Sequence, residues 1–337
     1  MRVTAVVLTY DRRDLLDIIL PSLERQTLAD LRVVVVDNGS RDDSAAYVRG
    51  RWPAMEVLAL PSNVGVAAAL NRGLAAAGDS EHIALLNNDL ELEPDYLELL
   101  VQTLDRHPEA ASATGKMLSF HDRARFDGAG DLFMWSGAAT HRGYGERDTG
   151  QYDRPEAVFS PCAGAAVLRR AALDVVGSFD EDFFAYLEDI DWGLRAQLAG
   201  FSARYEPAAV AFHMGGATTQ GDRRRYDRLQ RRNQLWLVAK NYPARALVRH
   251  AGKLVLHQGG WLVSAARDGA LREQLAALAA ALRGLPGVMR KRRVVQATRR
   301  ASLAQLDAVI SPEPYAGDSF ARRLRSIGGE LATLWRR

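Results

Sequence analysis

The stretch RVVVVDNGS, residues 32–40, joins four consecutive valines to a run of polar turn residues. A short apolar run bounded by turn residues is typical of a strand that is buried on both faces. The Asp-Asn-Gly-Ser sequence is also favourable turn chemistry for purely local reasons. The stretch therefore predicts a buried strand that ends in polar side chains.

Helix and strand patterns alternate on both sides of this stretch. Further strands are predicted at residues 3–10, 55–60 and 82–87, and helices at residues 15–26, 44–52 and 64–78. Strands that alternate with helices of about 10–15 residues indicate an α/β fold with a mostly parallel sheet and helices on both faces.

Polar residues follow each of the four predicted strands. They are Thr9, Tyr10, Asp11 and Arg12 after the first, Asp37, Asn38, Gly39 and Ser40 after the second, Asn63 and Gly65 after the third, and Asn87, Asn88 and Asp89 after the fourth. Ligands of such sheets bind outside the carboxyl ends of the strands. One polar end is a common turn, but four together predict a binding site.

Composition limits the classes of protein that the chain can belong to. With 337 residues, 47% hydrophobic and 25% charged, it has room for one large domain with an appendage, or for two domains. A single cysteine, Cys162, excludes an intramolecular disulfide and favours a reducing cytosol. The apolar runs are too short for a signal sequence or a membrane span, so neither is expected.

The charge of the chain is strongly polarised. Residues 1–222 carry 20 Lys and Arg against 34 Asp and Glu, whereas residues 223–337 carry 24 against 7. Such asymmetry favours an anionic partner for the second part: phospholipid headgroups, nucleic acid or the diphosphate of a lipid-linked substrate. The alternative is a solvated basic helical face.

Seven segments occur in a characteristic order. They are VVLTYDR, VVVVDNGSRDDS, NVGVAAALNRG, LLNNDLELEPDYL, CAGAAVLRR, GSFDEDFFAYLEDIDWGLRAQLAG and FHMGG. In this order the chain resembles glycosyltransferase family 2, and within it the bacterial rhamnosyltransferase-like members, over about residues 1–240. The resemblance implies a GT-A catalytic domain at residues 1–222, and charge and helical spacing predict a basic, mainly helical region at residues 223–337.

The resemblance also implies a nucleotide-sugar donor. Asp37 would accept a hydrogen bond from the N3–H of uracil or thymine, which favours a UDP- or dTDP-sugar. Tyr10 and Arg12 would contact the nucleotide, with surface packing as the alternative. The residues assigned to nucleotide-sugar binding are Thr9, Tyr10, Arg12, Asp37, Asn63, Gly65, Asn71, Asn88, Asp89, Gly164 and Arg195. Gly65 would let the backbone approach the ligand, and the small residues 162–165 would do so for the sugar.

By the same resemblance, Asn87, Asn88 and Asp89 occupy the position of the family's DxD motif. One carboxylate suffices for Mg²⁺ or Mn²⁺, because such ions take few protein carboxylates and leave other positions to phosphate and water. The implied metal ligands are Asp89 and His213. The alternatives are a plain strand exit for the three residues and a structural role for the lone histidine.

The acidic segment YLEDIDW, residues 186–192, leads into a helical pattern. The resemblance assigns Asp189 as the general base of an inverting transfer, with Glu188 and Asp191 as neighbouring candidates. Negative charge is also stabilised at a helix N-terminus, so helix capping is the alternative. Arg195 is a candidate to pair with Glu188 or with a phosphate.

The basic region is predicted to be helical at residues 223–243, 246–263 and 272–284. Apolar residues set among Arg and Lys favour an amphipathic, interfacial element; they are Leu235, Trp236, Leu237, Leu254, Leu256 and Trp261. Such an element would hold the site against a membrane that carries a polyprenyl-diphosphate-linked acceptor. The alternative is helices that pack on each other or form a homo-oligomer interface.

These features predict a cytoplasmic, metal-dependent inverting glycosyltransferase, at the inner face of the cell membrane, that adds a sugar such as rhamnose to a growing cell-surface glycan. Transfer to polyprenyl phosphate is the rival reaction. A nucleic-acid-binding protein is the rival of another class. It is disfavoured, and no nucleic-acid partner is expected, because the basic region has no nucleic-acid motif and the first part is acidic.

Overall fold

The computed structural model of the protein describes residues 2–162, 164–215 and 223–311. Ala163, the predicted domain boundary at residue 222 and residues 312–337 of the predicted C-terminal region lie outside the described residues.

The described residues form strands and helices that alternate along the first part of the chain. The strands are β1 (Val3–Thr9), β2 (Leu31–Asp37), β3 (Glu56–Ala59), β4 (His82–Asn87), β5 (Leu90–Leu92), β6 (Ala110–Ser119), β7 (Phe126–Gly128), β8 (Asp131–Phe133), β9 (Ala139–His141), β10 (Glu156–Val158), β11 (Ala165–Arg169) and β12 (Ser202–His213). The helices are α1 (Arg13–Glu24), α2 (Ser44–Arg51), α3 (Val66–Ala76), α4 (Tyr96–Arg106), α5 (Arg170–Val176), α6 (Glu188–Leu198), α7 (Arg223–Asn241), α8 (Ala244–Arg267), α9 (Leu271–Ala297) and α10 (Leu303–Val309), with a 3₁₀ turn at Glu181–Phe183.

The main sheet has the strand order β10-β12-β6-β11-β4-β1-β2-β3, with β5 beside β12 and β7 beside β6. β1 lies between β2 and β4 and is parallel to both, so that their carboxyl ends meet at one edge. Val34, Val35 and Val36 are buried, because apolar side chains cover both faces of the sheet. The predicted α/β fold with a mostly parallel central sheet is confirmed, and β11 is antiparallel to both of its neighbours.

The long strand β12 ends at the same edge of the sheet as β1, β2 and β4. It runs parallel to β6 and pairs with the short strand β5, with His213 opposite Leu90. This pairing brings the end of β12 beside the residues that follow β4.

Helices α7 to α10 share a hydrophobic core with the preceding part of the chain. Trp236 and Leu237 are buried, and the Trp236 ring lies 6.4 Å from that of Phe183. Trp135 belongs to the same core. These contacts correct the predicted interfacial set, because the aromatic and leucine side chains of α7 pack inward against the preceding part of the chain. Of the six predicted residues, Leu256 is the exposed one, at 71%.

Other apolar residues form the exposed face of α8 and α9. On α9, exposed apolar residues recur three, four or seven positions apart and therefore share one side of the helix; they are Leu271, Leu275, Leu278, Leu282 and Met289. On α8 the corresponding residues are Val248, Val255, Leu256 and Val263. Within the described residues, no helix combines the length and apolar character that crossing a bilayer requires.

Candidate active site

A cavity of about 390 Å³ opens at the carboxyl ends of β1 and β4. It brings together nine of the residues that the sequence suggested for the site: Thr9, Tyr10, Asn63, Gly65, Asn88, Gly164, Glu188, Asp189 and His213. Segments distant in sequence therefore contribute to one cavity, because parallel strands end at the same edge of the sheet.

The end of β1 is tied to the ends of β2 and β4. The side-chain amide of Asn88 donates to Thr9 Oγ1 at 2.9 Å, and the backbone N–H of Asn38 donates to the carbonyl of Thr9 at 2.9 Å. These bonds hold the polar strand ends in fixed positions beside the cavity.

Asn38, one of the predicted polar strand-end residues, lines the cavity, although it was not among the residues assigned to nucleotide-sugar binding. Its amide Nδ2 donates to Asn63 Oδ1 at 3.2 Å, and its Oδ1 accepts from the N–H of Val64 at 3.0 Å. Asp37, by contrast, is buried outside the residues that line the cavity, and its Oδ1 accepts from the N–H of Ser40 at 2.9 Å. In the sequence, both residues were indicated by the turn-forming segment Asp-Asn-Gly-Ser, residues 37–40.

Two glycines that were expected to face the ligand make room for protein groups. Gly65 has φ +90°, and a Cβ there would lie 2.6 Å from the ring and the carbonyl of Phe184. That carbonyl accepts the N–H of Val66 at 2.5 Å, which holds residue 184 at the start of α3. A Cβ on Gly164 would lie 2.7 Å from Asn87 Nδ2. Both glycines line the cavity, but Phe184 and Asn87 occupy the space that a Cβ would take at these positions.

Asp89 contacts His213, which lines the cavity, whereas Asp89 itself is buried outside the lining residues. Asp89 Oδ1 lies 3.2 Å from His213 Nε2, and the other ring nitrogen, Nδ1, lies 2.8 Å from Asp127 Oδ2. Burial disfavours the charged ring, but the hydrogen bonds to Asp127 and Asp89 outweigh burial and raise the pKa of His213 to about 10. A carboxylate oxygen beside an imidazole nitrogen fits a divalent cation that would displace this proton. Asp127 was missed in the sequence, because no strand pattern marked it.

Glu188 and Asp189 begin helix α6 at another side of the cavity. Asp189 Oδ1 accepts from the N–H of Ile190 at 2.8 Å. Burial and the neighbouring charge of Asp131 raise the pKa of Asp189 to about 6. Burial, with a smaller effect from the charge of Asp189, raises the pKa of Glu188 to about 8. Carboxylates with pKa values this far above normal, in a cavity, are typical of proton-transfer sites.

Asp191 is placed differently from its neighbours. It is fully buried, and its carboxylate bonds Arg195 Nε at 3.0 Å, Lys240 Nζ at 2.7 Å and Asn241 Nδ2 at 2.7 Å. The predicted pairing of Arg195 with Glu188 is therefore not formed. Arg195 also donates to the carbonyls of residues 176 and 178, so both side chains join α6 to the elements around it.

Asn71 and Arg12 also lie outside the residues that line the cavity. The amide of Asn71 exchanges hydrogen bonds with the backbone of Phe179, at 2.9 Å in each direction. Arg12 makes two hydrogen bonds to Asp14, at 2.9 and 2.8 Å. Its pKa is raised, chiefly by the bond to Asp14 and to a smaller extent by the charge of Asp89.

The comparison with protein families identifies the class of chemistry. The model of the family described as Glycosyl transferase family 2 matches residues 4–177. The chain belongs to this family. It is therefore a family 2 glycosyltransferase, and the resemblance found in the sequence is confirmed.

Two relatives of this family 2 enzyme come from Mycobacterium tuberculosis. N-acetylglucosaminyl-diphospho-decaprenol L-rhamnosyltransferase is 26% identical over 240 residues, which cover 64% of this chain and 77% of the relative. Pre-mycofactocin glycosyltransferase is 30% identical over 298 residues, which cover 84% of this chain and 56% of the relative.

Solved structures share the fold of this family 2 chain. GalNAc-T7 with UDP, GalNAc and Mn²⁺ has a TM-score of 0.57 at 12% identity, over 71% of this chain and 48% of that chain. The mannosyltransferase PcManGT from Pyrobaculum calidifontis with GDP-Man and Mn²⁺ has a TM-score of 0.53 at 19% identity, over 91% and 85%. At these identities the likeness concerns the fold alone, and it confirms the predicted GT-A type.

Proposed function

We propose that this chain is an inverting, metal-dependent transferase that moves a sugar from a UDP- or dTDP-sugar to a hydroxyl of a lipid-linked glycan. The observation that carries the proposal is that His213, which Asp89 contacts, lines the same cavity as Asp189. A metal-type donor pair and a carboxylate of raised pKa supply the two functions that glycosyl transfer requires.

Asp89 and His213 are the groups that would hold Mg²⁺ or Mn²⁺. The bound cation would stabilise the negative charge that develops on the leaving diphosphate. Asp127 would fix the imidazole from behind, as carboxylates do for metal-binding histidines. The two structural neighbours contain Mn²⁺ with UDP in one and GDP-Man in the other, so the proposal of uracil or thymine as the donor base depends on Asp37.

Asp189 is the proposed base. It would take the proton of the acceptor hydroxyl while the hydroxyl oxygen forms a bond to the anomeric carbon, as the bond from that carbon to the diphosphate oxygen breaks. A base with a pKa near 6 is largely ionised at neutral pH yet accepts a proton better than an ordinary aspartate. Glu188, with its pKa near 8, would remain mostly protonated beside it.

The exposed face of α8 and α9 suits contact with an anionic membrane. It ends at Met289, which also lines a groove of about 920 Å³. Four arginines line the same groove: Arg245, Arg292, Arg293 and Arg299. Apolar side chains beside clustered arginines are the combination that binds anionic lipid surfaces. A lipid-linked acceptor fits this arrangement. The mycobacterial relative that is named for a decaprenol-linked acceptor supports the same proposal.

The test is a screen of nucleotide sugars with Mg²⁺ or Mn²⁺ and acceptors of two kinds. We expect transfer from UDP- or dTDP-sugars onto a polyprenyl-diphosphate-linked sugar, with inverted anomeric configuration by NMR. Transfer onto polyprenyl phosphate itself would favour the rival reaction. Retained configuration, or full activity in the presence of EDTA, would overturn the mechanism.

A further inference from the structure

Asp131, His141 and Cys162 line the cavity, and none of them is assigned above as the base or as a ligand of the donor's metal. Asp131 and His141 face each other across the β8–β9 pair. A carboxylate oxygen, a ring nitrogen and the sulfur of these three residues all lie within 4.8 Å of one another. Three different metal-ligand types are therefore gathered at one point of the cavity wall.

The cluster is held in place from behind. Asp131 Oδ1 lies 2.9 Å from His141 Nδ1, and Asp131 Oδ2 accepts from Ser160 Oγ at 2.8 Å. The backbone N–H of Asp131 also donates to the carbonyl of Ser160 at 2.9 Å. Asp131 is buried at 2% exposure, whereas His141 and Cys162 are partly exposed. A fixed carboxylate therefore supports two groups that remain accessible from the cavity.

We propose that Asp131, His141 and Cys162 form a zinc-binding site, separate from the metal site assigned to the nucleotide donor. Zinc is bound by Cys, His and Asp side chains, and three protein ligands with an open fourth position are typical of its catalytic sites. A thiolate selects zinc over Mg²⁺ and Mn²⁺, which prefer oxygen ligands. Ser160, bonded to the second carboxylate oxygen, supplies the outer contact that orients metal ligands.

The site lines the same cavity as the proposed base, Asp189. A zinc ion on this wall would occupy the space beside Asp189 and exclude the acceptor. This inhibitory consequence rests on the proposed function, whereas zinc binding itself does not. Zinc binding is therefore tested by itself, without donor or acceptor.

The experiment titrates the reduced, metal-free full chain with Co²⁺ and then with Zn²⁺ as competitor. We expect one Co²⁺ to give the near-ultraviolet absorption of a cobalt–thiolate bond, and one Zn²⁺ to abolish it. Cys162→Ser should remove the absorption and weaken zinc binding by at least ~10-fold, since even the loss of an outer contact costs about 10–100-fold. His141→Ala should weaken zinc binding similarly. Circular dichroism melting verifies that each variant folds.

Asp89→Asn is the matched control, because it alters the other proposed metal site and leaves the thiol in place. Retained cobalt–thiolate absorption in this variant supports two separate sites. The proposal is overturned if the unaltered chain gives no cobalt–thiolate absorption. It is equally overturned if Cys162→Ser binds zinc normally while Asp89→Asn does not.

Discussion

Asp89 Oδ1 lies 3.2 Å from Nε2 of His213, although one residue follows β4 and the other ends β12. The contact forms because His213 pairs with Leu90 in the β5–β12 ladder, which places its ring beside the residue before Leu90. Asp127 fixes the far side of the ring. The two proposed metal ligands are therefore already in contact. Whether transfer depends on a metal held by them can be tested directly.

Asp89→Asn should abolish transfer and remove any gain in nucleotide affinity on adding Mg²⁺ or Mn²⁺, because an amide is a weak ligand for these cations. Asn87→Ala is the matched control and should have a smaller effect, since Asn87 packs against Gly164. Calorimetry of UDP and dTDP with and without metal measures both. Metal-dependent turnover in the Asp89 variant would contradict the assignment.

Asp189→Asn should lower kcat by about 10²–10⁴-fold, because the amide cannot accept the acceptor's proton. Donor Kd should stay close to that of the unaltered chain, and the melting temperature should not fall, since Asn is nearly as good as Asp at a helix N-terminus and burial disfavours the charged form of Asp189. Kinetics, donor binding and thermal melting are measured together.

Asp191→Asn is the control in the same turn of α6, and it should lower stability rather than kcat. It removes the carboxylate that pairs with Arg195 and one of the two carboxylates that pair with Lys240, and the loss of such a buried partner costs about 3–5 kcal/mol of folding free energy. If instead this variant keeps normal stability and loses kcat, while Asp189→Asn keeps its kcat, the base would be at position 191.

Glu188→Gln should raise the melting temperature relative to the unaltered chain, increasingly from pH 5 to pH 8.5. The folded pKa of Glu188 is raised to about 8 by burial and the charge of Asp189. The unaltered protein therefore loses stability as the pH rises from the unfolded pKa through this value, whereas Gln mimics the protonated form. Melting curves of both proteins across this range test the sign, and a constant difference would argue against it.

Asp180→Asn should show the reverse pH dependence. Burial would raise the pKa of Asp180, but Lys240 and Lys291 outweigh burial and lower it to about 2. Its contribution to stability is present above the unfolded pKa and is lost as the pH falls through about 2. The variant should thus be less stable at pH 7, and the difference should shrink in acid. Denaturant unfolding at pH 7 and pH 2.5 measures this change.

Leu278→Glu and Leu282→Glu should each weaken binding to anionic vesicles by roughly 10-fold, the loss expected when a buried leucine becomes charged. Ala75→Glu adds the same charge at an exposed position of α3 and should bind normally. Vesicle co-sedimentation provides the measurement. If the unaltered chain ignores vesicles but forms an oligomer that the leucine variants dissociate, the surface is an interface between copies instead.

The strands around the cavity were predictable from local sequence. The apolar runs of β1, β2 and β4 can be buried on both faces only inside a sheet, and their alternation with helices predicts parallel order. The polar residues at the strand ends then had to meet at one edge, which is how Asp89 and Thr9 were recognised. Residues that lie on short strands, such as Asp131 and His141, carried no such periodic signal.

The sequence by itself determined the α/β architecture, the family and the edge of the sheet where the site lies, because these depend on local periodicity and on motif order. Tertiary structure alone decided which carboxylate of the acidic segment faces the cavity. Asp189 and Asp191 are equivalent in the sequence, but Lys240 and Asn241 of α7 bind Asp191 and so set the rotation of α6. Packing between elements distant in the chain fixes that rotation, and no local pattern records it.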